Sequence, residues 1–556
     1  MARRYRDAVT ALEALDVEAD FDVFDQLVTR NLEATIRDGD SLIDDPAYTA
    51  HPFDWRAAFP SVFAAGGFDV VIGNPPYVRM EHLKDVKPYL AERYVVAADR
   101  ADLYAYFFEK GVAVLKPGGR LGYISSSTFF KTGSGQNLRT FLGDGVALEA
   151  VVDFGDVQVF EGVTTYPAIL TLKKEGGGGE GDLTFLTVRG KVPEDLDRAF
   201  ARDGQAMPRA RLGKGSWQLE GDALAALRAK LAAGRQTLGE VYGPPLYGIK
   251  TGLNEAFVIS RETRDALVKA DAKSADLLEP FLRGENIKRW RVESEDLFLI
   301  NTPKGKVDIE AYPAVRNWLV PFRDKLEARA TKQAWWELQQ AQLAYQATFA
   351  KPKIIYQDIT ASNPFALDET GAFPANTCYF LPTGDRTLLG ILNSRLAWFF
   401  LSAVTNIARG GYLRLRTEFV AQLPLPTIAA APARALGNLV DICTDAARRR
   451  FTIQSDVRRR ILDLAPPDRR SLTNKLAAWH DLDFTAFRAE ARKAFGADIP
   501  LKARAEWEAF LAENAATVHA HTAHIAEAER EIDGAVYGLF DLAAGEVALL
   551  EGSVSA

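Results

Sequence analysis

Asn74-Pro75-Pro76-Tyr77 is the run of this chain whose residue types and spacing can do chemistry. It follows Phe68-Asp69-Val70-Val71-Ile72-Gly73, an apolar run rich in β-branched residues, and neither proline can donate to a sheet ladder. The whole therefore reads as a buried strand that stops abruptly and presents Asn74 and Tyr77 at its carboxyl end, where open α/β sheets bind ligands. A rigid turn there exposes an amide oxygen and backbone carbonyls beside an aromatic face. That set suits a planar substrate bearing an NH2 group. The exocyclic amine of adenine is a poor nucleophile, because its lone pair is delocalised into the ring. The Asn74 side-chain oxygen and the Pro75 carbonyl can accept both of its N–H protons and push the nitrogen towards tetrahedral geometry. Tyr77 can stack on the base, a contact worth about 1–3 kcal/mol.

Composition sets the frame around that turn. At 556 residues the chain is long enough for roughly two to four domains with their own cores. A hydrophobic content of 47% and a charged content of 25% are those of an ordinary globular protein. The net charge is −7, so any nucleic-acid surface must be a local patch. With only Cys378 and Cys443, a disulfide framework and a cysteine-based zinc site are excluded. No apolar run of about 18 residues and no signal-peptide pattern occurs, which leads to the expectation of a cytoplasmic protein with no membrane partner.

The elements that must position the turn follow from periodicity. Residues 1–35 are helical in pattern, with Leu12, Leu15, Phe24, Leu27 and Leu32 at mixed helical spacing. A short strand then runs into the acidic turn Asp38-Gly39-Asp40-Ser41. Asp102 to Leu115 forms an amphipathic helix whose Tyr104, Tyr106, Phe107 and Phe108 read mainly as core. Lys116-Pro117-Gly118-Gly119 ends it, and Arg120 to Ser125 follows as a strand, the βαβ rhythm of a parallel sheet. Thr132-Gly133-Ser134-Gly135-Gln136 lacks the endings of phosphate and dinucleotide loops and reads as a mobile loop beside the site. Ala150–Phe154 and Ala168–Leu172 read as paired strands, and the glycine run 176–179 as a loose hairpin loop or linker.

Asn74-Pro75-Pro76-Tyr77 resembles the catalytic motif of amino-methyltransferases that act on adenine in DNA. The surrounding chain resembles the fused methylase–specificity portion of type IIG restriction–modification enzymes and related phage-defence methylases. The resemblance implies an α/β fold: a partial class I (Rossmann-like) methyltransferase sheet, a mixed α+β target-recognition domain and a helical C-terminal region. The boundaries expected are 1–204, 205–430 and 431–556. It implies S-adenosylmethionine as cofactor, with Asp40 the acid that meets its adenine, and Asn74, Pro75, Pro76 and Tyr77 as the catalytic set. It also implies an aromatic second wall for a flipped base, for which Phe160 stands at the matching turn. A turn-closing core phenylalanine is the equal alternative there.

Tyr247–Asn254, Arg283–Trp290, Lys353–Ile359 and Leu389–Phe400 resemble, in that order, pieces of the recognition domain. Lys250, Arg283, Lys288, Arg289, Arg409, Arg414 and Arg416 are then the candidate contacts to double-stranded DNA, since basic residues beside Asn, Gln and Tyr suit phosphate positioning and groove-edge readout. Arg448-Arg449-Arg450 and Arg458-Arg459-Arg460 lie close to three helical turns apart, on roughly one face of an unbroken helix. A surface charge run is the ordinary reading of them. His519, His521 and His524 lack partners at ligand-like spacing, so no metal is expected.

The resemblance also calls for a glycine-rich cofactor turn and a ribose-binding acid ahead of Asp40. Neither has a match there, and residues 1–35 contain no glycine. The motif strand would then carry an open edge, prone to aggregation or to pairing with a partner. An upstream polypeptide carrying the cofactor loop is therefore expected. Three readings stand at this level: a site-specific DNA adenine-N6 methyltransferase component, a non-catalytic DNA-recognition subunit with a remnant methylase half, and the same chemistry on glutamine or RNA.

Overall fold

The computed structural model describes residues 35–554 apart from 79–84, 161–165, 176–178, 295, 406, 409–411 and 467–470. The helical pattern at the start of the chain and most of the glycine run at 176–179 lie outside them. Two compact units divide the chain, Met1–Leu219 and Glu220–Ala556.

The first unit is built on one six-stranded sheet. Its strands are β1 (Phe68–Gly73), β2 (Leu115–Ser126), β3 (Ala147–Asp153), β4 (Pro167–Lys173), β5 (Asp182–Thr187) and β6 (Gln205–Pro208), in the order β1-β2-β4-β3-β5-β6. β1 and β2 run parallel, joined through helix α1 (Lys87–Arg93) and helix α2 (Leu103–Val114), as the βαβ reading expects. Lys116–Gly119 forms an irregularity within β2, so that Phe68 pairs Leu115 while Val70 pairs Arg120. β3 and β4 pair antiparallel, Val151 opposite Leu170. β4 thus runs against β2 and β3, and the sheet is mixed rather than parallel throughout.

The motif strand is not buried as its composition suggested. β1 has β2 as its one neighbour among the described residues, and none of its six residues is buried. Val70 is 58% and Ile72 81% exposed. A β-branched apolar run normally marks a strand covered on both faces; here the strand lies at the sheet's edge. Phe68 and Val71 are half-buried against the core, and Trp55, Phe59 and Phe63 lie within 6 Å of the Phe68 ring, centroid to centroid.

The turn Thr132–Gln136 is pinned. Arg139, buried on helix α3 (Gln136–Gly145), donates through Nη1 to the carbonyls of Phe129 (2.5 Å) and Thr132 (2.7 Å). Three backbone acceptors around one guanidinium, Lys214 being the third at 3.1 Å through Nε, satisfy a cation that burial alone would not tolerate.

The second unit contains two four-stranded sheets. One joins Phe373–Pro374, Leu278–Leu282, Leu297–Ile300 and Val258–Ser260; the other joins Ala366–Asp368, Lys353–Gln357, Cys378–Leu381 and Leu246–Tyr247. Two long helices, α4 (Ala430–Leu462) and α5 (Arg504–Leu539), pack side by side. Leu436, Val440 and Cys443 on α4 and Ile532 and Val536 on α5 share one core with Tyr356, Phe365 and Leu389. The helical region is therefore continuous in packing with the mixed sheets before it. No single described helix is long and apolar enough to cross a membrane.

Candidate active site

The proline pair explains the local backbone. β1 ends at Gly73, opposite Tyr123, and a Cβ at Gly73 would sit 3.2 Å from the Tyr123 ring. Pro75 is buried, Asn74 and Pro76 are exposed, and Tyr77 is half-buried. The chain leaving the motif is fastened to α2, where the Leu103 amide donates to the Val78 carbonyl at 2.9 Å. The Tyr77 and Tyr104 rings form an edge-to-face pair, with centroids 6.4 Å apart and planes at 86°.

A cavity of about 210 Å3 lies against this turn. Asn74, Pro75 and Pro76 form one side; Ser41, Trp55, Phe107 and Lys110 are among the residues of the others. The acidic turn and the motif are thus brought together, although more than thirty residues separate them in sequence. The Asp40 amide donates to the His51 carbonyl at 2.7 Å, and its carboxylate accepts the Leu42 amide at 3.1 Å. Tyr94 donates to the Leu42 carbonyl at 2.6 Å, and Tyr89 to the Asp44 carboxylate at 2.7 Å, so α1 holds the turn from below. Burial pushes the Lys110 ammonium below the ordinary lysine range, with Tyr94 beneath it at 5.5 Å.

Trp55 and Lys110 were not singled out from sequence, Phe107 was read as core, and Ser41 only as part of the acidic turn. Only the helix offered a signal: Tyr104 and Phe107, three apart on α2, share a face, and that face meets the motif at Tyr77 and at the cavity.

Phe160 is half-buried on the connection from β3 to β4, its carbonyl accepting Gln158 Nε2 at 3.2 Å. The carboxyl ends of β1, β2 and β3 point the same way, so this connection shares the end of the sheet where Asn74 lies. It sits two to three strand spacings from β1, roughly 10–14 Å across the sheet.

In the second unit a cavity of about 370 Å3 is lined by Arg283, Glu285, Asn254, Gln357, Asp358 and Asn376, among others. Arg283 pairs with Glu285 at 3.3 Å and Arg414 with Asp358 at 3.6 Å. The Asp358 carboxyl is pushed up by burial, against the pull of Arg414 and Arg416. Lys250, Lys288 and Arg416 are exposed. Arg409 lies outside the described residues. Arg289 is engaged within the fold, pairing with Glu529 at 2.8 Å and donating to the Asn393 carbonyl at 2.8 Å. Arg448, Arg459 and Arg460 pair along α4 with Asp445, Asp456 and Asp463, while Arg450 donates to Thr522 and Arg458 to the Ala477 carbonyl. Among the described residues no group of histidine, cysteine or acidic side chains is arranged to hold a metal ion.

Residues 12–160 match the family model of the Eco57I restriction-modification methylase, and residues 279–425 that of the TaqI-like C-terminal specificity domain. The chain carries an Eco57I-type methylase region followed by a TaqI-like specificity domain. Residues 430–536 match a domain of unknown function (DUF8810). Among curated relatives, the type II methyltransferase M.PaeR7I of Pseudomonas aeruginosa is 29% identical over 389 residues, covering 66% of each chain. M.XhoI of Xanthomonas vasicola is 28% identical over 385 residues, covering 65% of this chain and 68% of its own. The chain thus spans about two thirds of the length of these relatives. The type IIL restriction–modification enzyme MmeI, solved in complex with DNA, superposes with a TM-score of 0.55 at 12% identity, covering 90% of this chain and 58% of its own. That likeness is one of fold. It extends across the methylase region, the specificity domain and the helices that follow.

Proposed function

We propose that this chain is the catalytic and recognition portion of a site-specific DNA methyltransferase acting on the N6 amine of adenine within a restriction–modification or phage-defence system. The observation that carries the reading is the cavity shared by Ser41 of the acidic turn and Asn74-Pro75-Pro76 of the motif. Ser41, the neighbour of Asp40, together with the Trp55 and Phe107 rings and the polar motif turn around one cavity fit the adenine moiety of S-adenosylmethionine. When bound, that cofactor supplies an electrophilic methyl group on its sulfonium.

The chain's own residues do the rest. The second unit and its exposed cations, Lys250, Lys288 and Arg416, hold duplex DNA largely through phosphates, with salt-sensitive affinity. The target adenine leaves the stack at a cost of about a few kcal/mol. Tyr77 stacks on it, and Phe160 supplies the second wall if the β3–β4 connection reaches back across the sheet. Asn74 Oδ1 and the Pro75 carbonyl accept the two N–H bonds of the amine and localise its lone pair. The lone pair so positioned would take up the methyl group as its bond to the sulfonium sulfur breaks, the amine then losing one proton to solvent. These residues would contribute rate by positioning. No metal and no covalent enzyme intermediate enters this scheme.

The open edge of β1 supports a further requirement. A strand with no second neighbour among the described residues, and with Val70 and Ile72 exposed, suits pairing with another strand. We infer that a segment carrying the cofactor loop, upstream in the same polypeptide or on a partner, completes the sheet there. The same edge favours a second reading, a recognition subunit whose methylase half no longer turns over. Incorporation of tritiated methyl groups into DNA, with and without such a segment supplied, separates them. Methylation in either arm that is lost in Asn74→Ala supports the first reading; no incorporation in both arms sinks it.

A further inference from the structure

The stacking angle of Tyr77 needs a fixed reference. Its hydroxyl is enclosed yet bonds no group among the described residues, so the far end of the ring is untethered. The Tyr104 ring lies beside it, the two rings nearly perpendicular at 86° with centroids 6.4 Å apart. Tyr104 is itself only 3% exposed, and its hydroxyl lies 3.3 Å from Thr128 Oγ1. Thr128 is held in turn by Ser126: the two hydroxyls are 2.9 Å apart, and the Thr128 amide donates to Ser126 Oγ at 3.3 Å. Ser126 is the last residue of β2 and Thr128 lies in the tight turn after it. A chain of side chains therefore runs from the carboxyl end of β2, through α2, to the residue that closes the motif after β1.

Such a path is more than a core contact needs. A phenylalanine would fill the space of Tyr104 equally well; the hydroxyl adds a direction, because a ring tethered at its para position can neither slide nor tilt along Tyr77. An edge-to-face pair, in turn, favours one mutual angle over others. We propose that Tyr104 is a positioning residue that sets the plane of Tyr77 for stacking on the target base, and that Thr128 and Ser126 fix Tyr104 in that role. The inference rests on the reading of Tyr77 as the base-stacking residue. Tyr104 touches neither the base nor the cofactor in this scheme; it acts through Tyr77.

The test uses the full chain, together with the upstream segment if methylation needs it. Single-molecule sequencing of DNA methylated in cells expressing the wild type maps the modified site, and a duplex bearing that site carries 2-aminopurine at the target adenine. Three variants are compared with wild type: Tyr104→Leu, Tyr104→Phe and Thr128→Val. Binding of wild type brightens 2-aminopurine by flipping it and then partly quenches it by stacking on Tyr77. Tyr104→Leu is expected to raise the bound emission at least twofold and to lower kcat about tenfold, with KM for the cofactor within twofold. Tyr104→Phe and Thr128→Val, which keep the core filled, should fall between and so carry the test should Tyr104→Leu not fold. Emission and kcat at wild-type values in both of these conservative variants overturn the proposal while leaving the methyltransferase reading intact. A wild type that neither methylates DNA nor brightens the probe overturns both.

Discussion

Trp55 Nε1 donates to the Ser41 carbonyl at 2.9 Å, and this bond joins the acidic turn to the short helix Trp55–Ala58. The same indole meets the Phe68 ring at 5.9 Å, edge to face. One side chain thus ties together two segments that line one cavity. Trp55→Phe keeps most of the packing and deletes the donor, leaving a carbonyl short of its partner. The expected cost is about 1 kcal/mol of stability, seen as a lower urea midpoint with unchanged slope, together with cofactor binding weakened several-fold by calorimetry. Unchanged cofactor affinity in a destabilised protein would separate the Ser41 turn from the cofactor site.

Asn74→Ala tests the chemistry directly. Removing the amide oxygen takes one of two acceptors from the amine, while the prolines keep the turn's shape. Methylation should fall by a factor of at least about a thousand, the scale on which single preorganised polar groups act. Specific DNA binding in a gel-shift assay should stay within a few-fold. Survival of methylation in this variant removes Asn74 from the catalytic set.

How far the sequence carries the site can be judged from a few residues. The Asn74 turn was legible because proline acts locally: it ends a strand wherever it stands. Asp40 was legible as an acidic turn, but not the sharing of a cavity between its neighbour Ser41 and Asn74, which depends on Tyr94, Tyr89 and Trp55 holding the turn in place. The expectation of a buried motif strand failed for an instructive reason. Val70 and Ile72 stand on a strand that has β2 as its one neighbour among the described residues, so apolar composition here did not mean burial on both faces. The sheet is mixed because β4 returns antiparallel between β2 and β3, and strand direction within a sheet leaves no mark on residue choice at this length. Arg289, beside an aromatic and a lysine, has the composition of a DNA contact; only the fold reveals Glu529 opposite it.

Glu529 also accepts Trp290 Nε1 at 2.5 Å, so one carboxylate satisfies two buried or half-buried donors from the specificity domain. Glu529→Ala should destabilise the second unit by about 2 kcal/mol, since it strands a cation and an indole N–H away from water. Arg289→Ala should do likewise and should leave the salt dependence of DNA binding unchanged, whereas Lys288→Ala should reduce that slope by about one. A reduced slope for Arg289→Ala would return it to the phosphate contacts.

Asp533 gives the second unit a pH dependence. Its carboxyl accepts the Arg395 amide at 2.7 Å, yet burial pushes its pKa up from 3.8 to about 6, against the lowering by that amide and by the Arg395 guanidinium. With the folded value above the unfolded one, the folded chain binds more protons between pH 4 and 6. Stability from this group is therefore greatest below about pH 4, falls as pH rises to about 6, and is level beyond. Asp533→Asn should flatten that slope in thermal melts across the same window. A slope unchanged by the substitution would assign it to another group.

The edge of β1 makes a prediction that separates folding from assembly. Ile72 is 81% exposed and Val70 58%, on a strand with one neighbour among the described residues. A lysine at either position adds a charge to a surface already in water, so Ile72→Lys should change stability by no more than about 0.5 kcal/mol. Its effect on association should be much larger. Natural edges use lysine to block strand pairing, and a charge here opposes both self-association and docking of a completing segment. Sedimentation of the isolated chain should show less aggregation for Ile72→Lys than for wild type. Mixed with an upstream segment that restores methylation to the wild type, Ile72→Lys should require a higher concentration of that segment to reach the same activity. If it aggregates as wild type does and is completed as readily, β1's outer edge is not where the sheet is extended.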